Sequence, residues 1–250
     1  MRARRAGPDR QLSYGPDREQ VADLWLPAGP GPFRVVVSLH GGYFQAGYRR
    51  DLHDPMARLL TESGLAVLNP EYRRAGAGGS FRETTADVMA AVSLLDSLRA
   101  VHAVPVLPGT AVVGHSAGGY LALWAARHPD VELVIALAAV SDLVGIVHGG
   151  YDSGSVATWM GASPESDPVG YAAADLAAAL PTGTRTVLVH GSADRTVPPG
   201  QSVRYCMLAR AAGDSCELVL LDDEGHFSLI EPGTAAFCAW LAVVADWAGG

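Results

Sequence analysis

The sequence predicts an α/β fold with a mostly parallel central sheet and helices on both of its faces. Short apolar runs typical of buried strands alternate with longer segments of helical periodicity along the 250 residues. This alternation is typical of a parallel sheet whose faces are covered by helices. A serine between two glycines, placed where one apolar run passes into a helical segment, indicates the same class of fold.

The predicted elements follow one another in a simple order. Residues 20–26 are predicted to form an antiparallel edge strand ahead of the parallel ones. The predicted buried strands are residues 34–39, a segment that ends near Asn69, and residues 110–114, 133–140, 186–190 and 217–221. The helical pattern recurs at residues 51–63, 84–99, 117–127, 200–212 and 234–247.

The chain is predicted to form one domain over residues 1–250. No linker interrupts it, and single α/β domains often reach this length. Residues 1–12 are expected to be a disordered start, because the arginines among the first five residues are not followed by the apolar stretch of a secretory signal. Residues 143–184 lack a clean period and are expected to form a small, cap-like insertion over the site.

Composition excludes several classes of function. The net charge of −8 disfavours nucleic acid as a partner. All 18 basic residues are arginine, so the chain has no lysine for Schiff-base chemistry, a phosphate-binding loop or Ser-Lys catalysis. The three cysteines, Cys206, Cys216 and Cys238, show no Cys-x-x-Cys spacing, which argues against a disulfide framework or a zinc site.

These observations also set expectations about cofactors and location. No pair of histidines has helical metal-binding spacing with an acid, so we expect no metal and no cofactor. The apolar segment 235–247 is too short to span a bilayer, and no membrane partner is expected. A reducing cytoplasm fits the cysteine content. The oligomeric state stays open.

Ser116 is the candidate nucleophile. It lies between Gly114 and Gly118, after the apolar run that begins at Thr110 and before the helical segment 117–127. A sharp strand-to-helix turn leaves no room for side chains two residues before and after the serine, which accounts for the glycines. Such a turn lifts the hydroxyl to the carboxyl edge of the sheet, near a helix N-terminus that favours developing negative charge.

A base and an orienting acid follow later in the chain. Asp194 comes after the predicted strand 186–190, and His226 comes after the predicted strand 217–221. The chain order of Ser, Asp and His, each just past a strand, is the order that this type of turn requires. Asp142, after another strand, is a rival acid, although its position is also typical of a helix cap.

Backbone donors for an oxyanion are expected after the strand 34–39. That strand runs into His40, Gly41, Gly42 and Tyr43, where the glycines let N–H groups approach a ligand closely. An N–H from Gly41, Gly42 or Tyr43 would act together with the N–H of Ala117. Removing one such donor costs roughly 3 kcal/mol of transition-state stabilisation in well-studied hydrolases.

These four segments resemble the α/β-hydrolase superfamily over most of the chain. Within it, the sequence is similar to the carboxylesterase branch with a His-Gly-Gly motif, which includes hormone-sensitive-lipase-like and kynurenine formamidase-like enzymes. The resemblance is carried by residues 40–43, 114–119, 190–198 and 225–227, with weaker similarity at 13–15 and 69–73. Lipase-like members have a third glycine where this chain has Tyr43. Formamidase-like members have an aromatic pair there, matched by Tyr43 and Phe44, and this shifts the similarity towards formamidases and small-ester hydrolases.

Aromatic and other large residues are predicted to line the substrate pocket, since loops at the carboxyl edge of such a sheet surround the ligand. The residues assigned to it are Tyr43, Phe44, His115, Tyr151, Trp159, Met160 and Tyr171. Among the other histidines, His40 is expected to brace the oxyanion loop and His190 to fill a strand end. His53, His102, His128 and His148 are expected at the surface or in loops.

The predicted function is hydrolysis of a small or medium carboxylic ester through an acyl-enzyme on Ser116. His226 would act as general base and Asp194 would orient it. The same residues would also hydrolyse an aryl formamide or amide, which is the first alternative. The second is acyl transfer or cyclisation, because transfer differs only in the nucleophile that reaches the acyl-enzyme.

Overall fold

The computed structural model describes residues 7–100 and 102–249. In these residues the strands are β1 (Arg10–Ser13), β2 (Val21–Trp25), β3 (Phe33–Leu39), β4 (Ala66–Pro70), β5 (Val106–His115), β6 (Val131–Leu137), β7 (Arg185–Gly191) and β8 (Cys216–Leu221). The helices are α1 (Asp54–Glu62), α2 (Phe81–Ala100), α3 (Ala117–Ala125), α4 (Leu143–His148), α5 (Ser155–Met160), α6 (Pro168–Ala173), α7 (Gly200–Ala211) and α8 (Ala235–Gly249). Short 3₁₀ helices cover Arg50–His53 and Ala177–Ala179.

The strands form one sheet in the order β1-β2-β4-β3-β5-β6-β7-β8. β2 is antiparallel to both β1 and β4, whereas β4, β3, β5, β6, β7 and β8 run parallel to one another. Parallel strands bring their carboxyl ends to one edge, so the segments after β3, β5, β7 and β8 meet there. The predicted α/β-hydrolase fold is confirmed.

The N-terminal strand, β1, shows that two predictions are wrong. Residues 10–12, predicted to be disordered, belong to β1, which pairs with β2 in the register Leu12 to Ala22. The side chain of Leu12 is buried in the core, and this burial together with the backbone pairing stabilises the strand. The predicted edge strand, β2, is therefore an inner strand. The part of the disorder prediction that concerns residues 1–6 lies outside the described residues.

Helices cover both faces of the sheet. Val35 and Val37 in β3 belong to a core beneath α2, α3 and α7, and Val36 belongs to the core beneath α1 and α8. Each of these valines is at most 1% exposed. Burying one such side chain stabilises the fold by about 1.5–3 kcal/mol. The sheet is therefore a rigid base for the segments at its carboxyl edge.

The segment between β6 and β7 contains α4, α5, α6 and the second 3₁₀ helix. Asp142 caps α4 by accepting from the N–H of Gly145 at 2.8 Å, and Asp167 caps α6 by accepting from the N–H of Gly170 at 2.9 Å. Trp159 in α5 is fully buried, which anchors the segment to the rest of the domain. Of the helices in residues 7–100 and 102–249, none is long and apolar enough to cross a membrane.

Candidate active site

Ser116 lies at the turn between β5 and α3, with φ of +58°. A non-glycine residue adopts this left-handed conformation only when its surroundings enforce it. A Cβ at Gly114 would lie 2.0 Å from the carbonyl oxygen of Gly118, and a Cβ at Gly118 would lie 2.1 Å from the carbonyl oxygen of Leu39. The prediction that only glycine fits on both sides of Ser116 is confirmed.

Asp194 and His226 lie in the loops that follow β7 and β8. The imidazole Nδ1 of His226 lies 2.6 Å from Oδ2 of Asp194, and both side chains are buried. The other carboxylate oxygen of Asp194 accepts from the N–H groups of Thr196 and Val197 at 2.8 and 2.9 Å. The carboxylate therefore fixes the ring so that Nδ1 carries the hydrogen and Nε2 is free to accept a proton.

The environment of Asp194 keeps its carboxylate ionised. Burial raises the pKa of Asp194, but hydrogen bonds from His190 and His226 outweigh it and hold the pKa well below its ordinary value. Nε2 of His190 lies 3.3 Å from Oδ2 of Asp194 and 2.9 Å from the carbonyl oxygen of Val197. Both of these atoms only accept, so Nε2 of His190 donates. Ser202 contacts the other ring nitrogen at 2.7 Å.

His190 lies at a strand end, as predicted, but its contact with Asp194 was not predicted. The signal available in the sequence was the position of His190, which lies at the end of the predicted strand and four residues before Asp194. The rival acid Asp142 does not approach His226 in this way. Its carboxylate caps α4 and lies 3.5 Å from Arg204, as the helix-cap interpretation predicted.

His115 connects Ser116 to His226. Its Nε2 lies 2.8 Å from the carbonyl oxygen of His226, and the two rings are 4.5 Å apart. Among the described residues, Ser116 Oγ and His226 Nε2 do not form a hydrogen bond. Catalytic hydrogen bonds of this kind often tighten only when substrate binds.

The segment predicted to supply the oxyanion donors follows β3 and packs against the turn at Ser116. Gly42, Tyr43 and Phe44 all have positive φ, at +114°, +58° and +56°. A Cβ at Gly41 would lie 2.9 Å from the carbonyl oxygen of His115, so the close approach requires glycine. The N–H of Ala117 is in the first turn of α3, where N–H groups have no acceptor within the helix. These segments lie together at the sheet edge.

His40 braces this segment, as predicted. Its Nδ1 lies 2.7 Å from the carbonyl oxygen of Gly41, and its ring stacks on Tyr72 with centroids 4.4 Å apart. The hydroxyl of Tyr72 donates to the carbonyl oxygen of His40 at 2.5 Å. Glu71, which sequence reasoning did not single out, is fully buried, lies 2.9 Å from Nε2 of His40 and forms an ion pair with Arg74.

A narrow cavity of about 20 Å³ opens beside Ser116. Of the residues predicted to line a pocket, Tyr43, Phe44 and Tyr151 lie in its wall. The complete lining is Tyr43, Phe44, Ser116, Ala117, Val140, Ile146, Tyr151, Asp152, Ser155, Val156, Thr196 and Val197.

The other four residues predicted for this pocket lie elsewhere. Trp159 is fully buried behind Phe44, on which it stacks at 3.9 Å. Met160, at the end of α5, packs against the core. His115 lies behind the turn, against His226. Tyr171 lines a separate cavity of about 600 Å³ between α4, α6 and α7, which contains neither Ser116, Asp194 nor His226.

His53 lies in the core, not at the surface or in a loop as predicted. It is only 1% exposed because the 3₁₀ helix Arg50–His53 packs it onto β3, where Nδ1 lies 2.9 Å from Ser38 Oγ. No group of three or more histidine, cysteine, aspartate or glutamate side chains in the described part of the chain is arranged to hold a metal ion.

Residues 55–249 match the sequence profile of the prolyl oligopeptidase family. The chain belongs to this family. The family is part of the α/β-hydrolase superfamily, and membership together with the site geometry supports a serine hydrolase. A search of the curated proteins found no match.

Solved structures with the same fold include several esterases. A bifunctional GH43-CE protein from Bacteroides eggerthii aligns with a TM-score of 0.81 and 20% identity, over 96% of this chain and 38% of that chain. An acetyl ester-xyloside bifunctional hydrolase from Caldicellulosiruptor lactoaceticus aligns with a TM-score of 0.80 and 18% identity, over 96% of both chains. The esterase Est2 from Thermogutta terrifontis aligns with a TM-score of 0.75 and 19% identity, over 97% and 94% of the two chains. At these identities the likeness shows the fold alone.

Proposed function

We propose that this member of the prolyl oligopeptidase family is a carboxylic-ester hydrolase with Ser116 as nucleophile. The observation that carries the proposal is the buried contact of 2.6 Å between His226 and Asp194, at the same sheet edge as the strained turn at Ser116. That geometry supports a histidine whose Nε2 is free to accept the serine proton.

These positions support the following reaction. Ser116 Oγ attacks the ester carbonyl while His226 takes its proton, and the N–H of Ala117 with one from Gly41, Gly42 or Tyr43 stabilises the oxyanion. His226 then gives the proton to the departing alcohol. Water, activated by the same histidine, attacks the acyl-enzyme, which releases the carboxylic acid and restores Ser116.

An ester is favoured over a peptide by two observations. The His-Gly-Gly segment at residues 40–42 is similar to that of the carboxylesterase branch, and its glycines are required by close packing at Gly41 and by positive φ at Gly42. Among the solved structures with the same fold, the Thermogutta terrifontis protein is named an esterase and the Caldicellulosiruptor lactoaceticus protein an acetyl ester-xyloside bifunctional hydrolase. Hydrolysis of an aryl formamide is the second candidate, because Tyr43 and Phe44 provide the aromatic pair typical of formamidase-like members.

The proposal is tested with a fluorophosphonate probe and intact-mass analysis. We expect one adduct, mapped to Ser116, which is absent in Ser116→Ala and in His226→Ala. His148→Ala is the matched control, because His148 is 55% exposed on α4 and pairs with Glu165. A panel of nitrophenyl esters and N-formyl aryl amines then ranks the two candidates. A folded protein that takes up no probe and cleaves no ester would refute the proposal.

A further inference from the structure

We infer that the substrate is an ester of a short acyl group, acetyl or propionyl, with a neutral alcohol that carries a ring. The inference rests on the proposed function and adds the class of substrate to it. The acyl group would enter the cavity beside Ser116, and the ring of the alcohol would lie on exposed aromatic side chains around the cavity mouth.

The inner wall of the cavity is held in place. Phe44 is 2% exposed, stacks on Trp159 at 3.9 Å and meets the edge of Tyr120 at 5.8 Å. Trp159 is fixed in turn, because its indole N–H donates to Thr84 Oγ1 at 2.8 Å. A longer acyl chain would have to displace this stack, and close-packed interiors resist such a displacement.

The side walls are apolar and buried. Val140, Ile146, Val156 and Val197 each line the cavity and are at most 7% exposed. The space they leave, about 20 Å³, is far below the roughly 300–1,000 Å³ of pockets that enclose larger ligands. A space of this size favours a methyl or ethyl group over a hexanoyl chain.

The alcohol is inferred from the aromatic rim, which we define as Tyr43, Tyr48, Tyr151 and Phe227. These side chains are 38%, 41%, 47% and 63% exposed. Tyr43 and Tyr151 line the cavity, the Tyr43 and Tyr48 rings are 6.0 Å apart, and Phe227 lies 5.0 Å from the His226 ring. Exposed apolar surface grouped beside a site is typical of ligand binding, and flat rings stack on such faces.

The charge of the cavity lining favours a substrate with no charged group next to the scissile ester. Asp152 is the acidic side chain in its lining, and no arginine or histidine of the described chain lines it. The carboxylate of Asp152 is occupied at the start of α5, where it accepts from the N–H groups of Ser155 and Val156, both at 3.1 Å. A phosphorylated leaving group would therefore find no cation in this lining.

The acyl part is tested by kcat/KM for nitrophenyl acetate, propionate, butyrate and hexanoate. We expect a fall of about tenfold for each methylene beyond propionate. Val156→Ala widens the cavity and is expected to raise the hexanoate-to-acetate ratio about tenfold. Val169→Ala is the matched control, since Val169 is 78% exposed on α6 and should leave the ratio unchanged. Ile146→Val makes a smaller enlargement if Val156→Ala does not fold.

The alcohol part is tested with Tyr151→Ala and Phe227→Ala. We expect each to raise KM several-fold more for phenyl acetate or for an acetylated methyl pyranoside than for ethyl acetate. The two ring substrates distinguish an aryl from a sugar alcohol. Met207→Ala, at an exposed apolar residue of α7, is the control.

The outcomes separate the two proposals. If Ser116 takes up the probe but kcat/KM is constant or rises with chain length, the inference is wrong and the ester hydrolase stands. Equal KM effects on ethyl acetate and the ring esters would overturn the role of the rim. If Ser116 neither takes up the probe nor supports hydrolysis of any ester, the proposed function fails and the substrate class falls with it.

Discussion

Nε2 of His115 donates to the carbonyl oxygen of His226, at a distance of 2.8 Å. A carbonyl only accepts, so this nitrogen carries the hydrogen. Burial, with a further contribution from His226, lowers the pKa of His115 to about 3, which leaves it a neutral donor at pH 7. The residue beside Ser116 therefore fixes the backbone of the loop that carries His226.

His115→Phe is expected to lower kcat by about 10- to 100-fold, because a small displacement of a reacting group has effects of this size. KM should change little, since His115 does not line the cavity. His115→Gln keeps an amide donor and should restore part of kcat. The measurement is steady-state kinetics on a short-chain ester. A fall in thermal stability with unchanged kcat would indicate that the contact is only structural.

Asp194→Asn is expected to lower kcat by about 10⁴-fold, because the amide would hold the ring of His226 in the wrong tautomer. Asp142→Asn is the matched change at the rival acid. Asparagine is also a good helix cap, so this variant should keep its activity and lose little stability. If Asp142→Asn were the inactive variant of the two, the assignment of the acid would be wrong.

Gly118→Ala is expected to remove activity and destabilise the protein. The added Cβ would lie 2.1 Å from the carbonyl oxygen of Leu39 and 2.3 Å from that of His40, so β3 or the turn at Ser116 must move. Gly47→Ala is the control, since its Cβ would meet no atom within 4 Å. Thermal melting and probe labelling measure both effects. Normal labelling of Gly118→Ala would show that the turn tolerates a side chain.

The fold and the positions of the three residues proposed to react were predictable because their signals are local. Each of Ser116, Asp194 and His226 follows an apolar run long enough to identify as a strand, and parallel strands bring such positions to one edge. The need for glycine on both sides of Ser116 was equally predictable, because Gly114 and Gly118 are required by backbone contacts within and next to the turn.

The remaining features depend on contacts between distant segments. β1 has four residues, of which only Leu12 is buried, too short a pattern to reveal a strand. Trp159 was predicted to line the pocket because the chain places it in the insertion. Its stacking partner, Phe44, lies more than a hundred residues earlier. The contact of Asp194 with His190 depends on the shape of the loop after β7, and no periodic pattern in the sequence indicates that shape.

The buried histidines also predict how stability depends on pH. Burial lowers the pKa of His40 and His115 to about 3, and it lowers the pKa of His53 well below its ordinary value. Between pH 6.5 and 4.5 the unfolded chain binds protons at all three histidines while the folded protein does not. The free energy of unfolding should therefore fall with decreasing pH, by up to about 1.4 kcal/mol per pH unit for each histidine.

Asp194 adds to this loss of stability only at lower pH. In the unfolded chain its carboxyl takes up a proton near pH 4, whereas in the folded protein the depressed pKa keeps it ionised. Urea denaturation at pH 7, 6 and 5 measures the slope. His53→Gln should reduce the slope of the free energy of unfolding against pH by up to one proton, because glutamine takes up no proton. Nε2 of His53 is buried without a partner among the described residues. A slope equal to that of the original protein would mean that His53 gains its proton without unfolding.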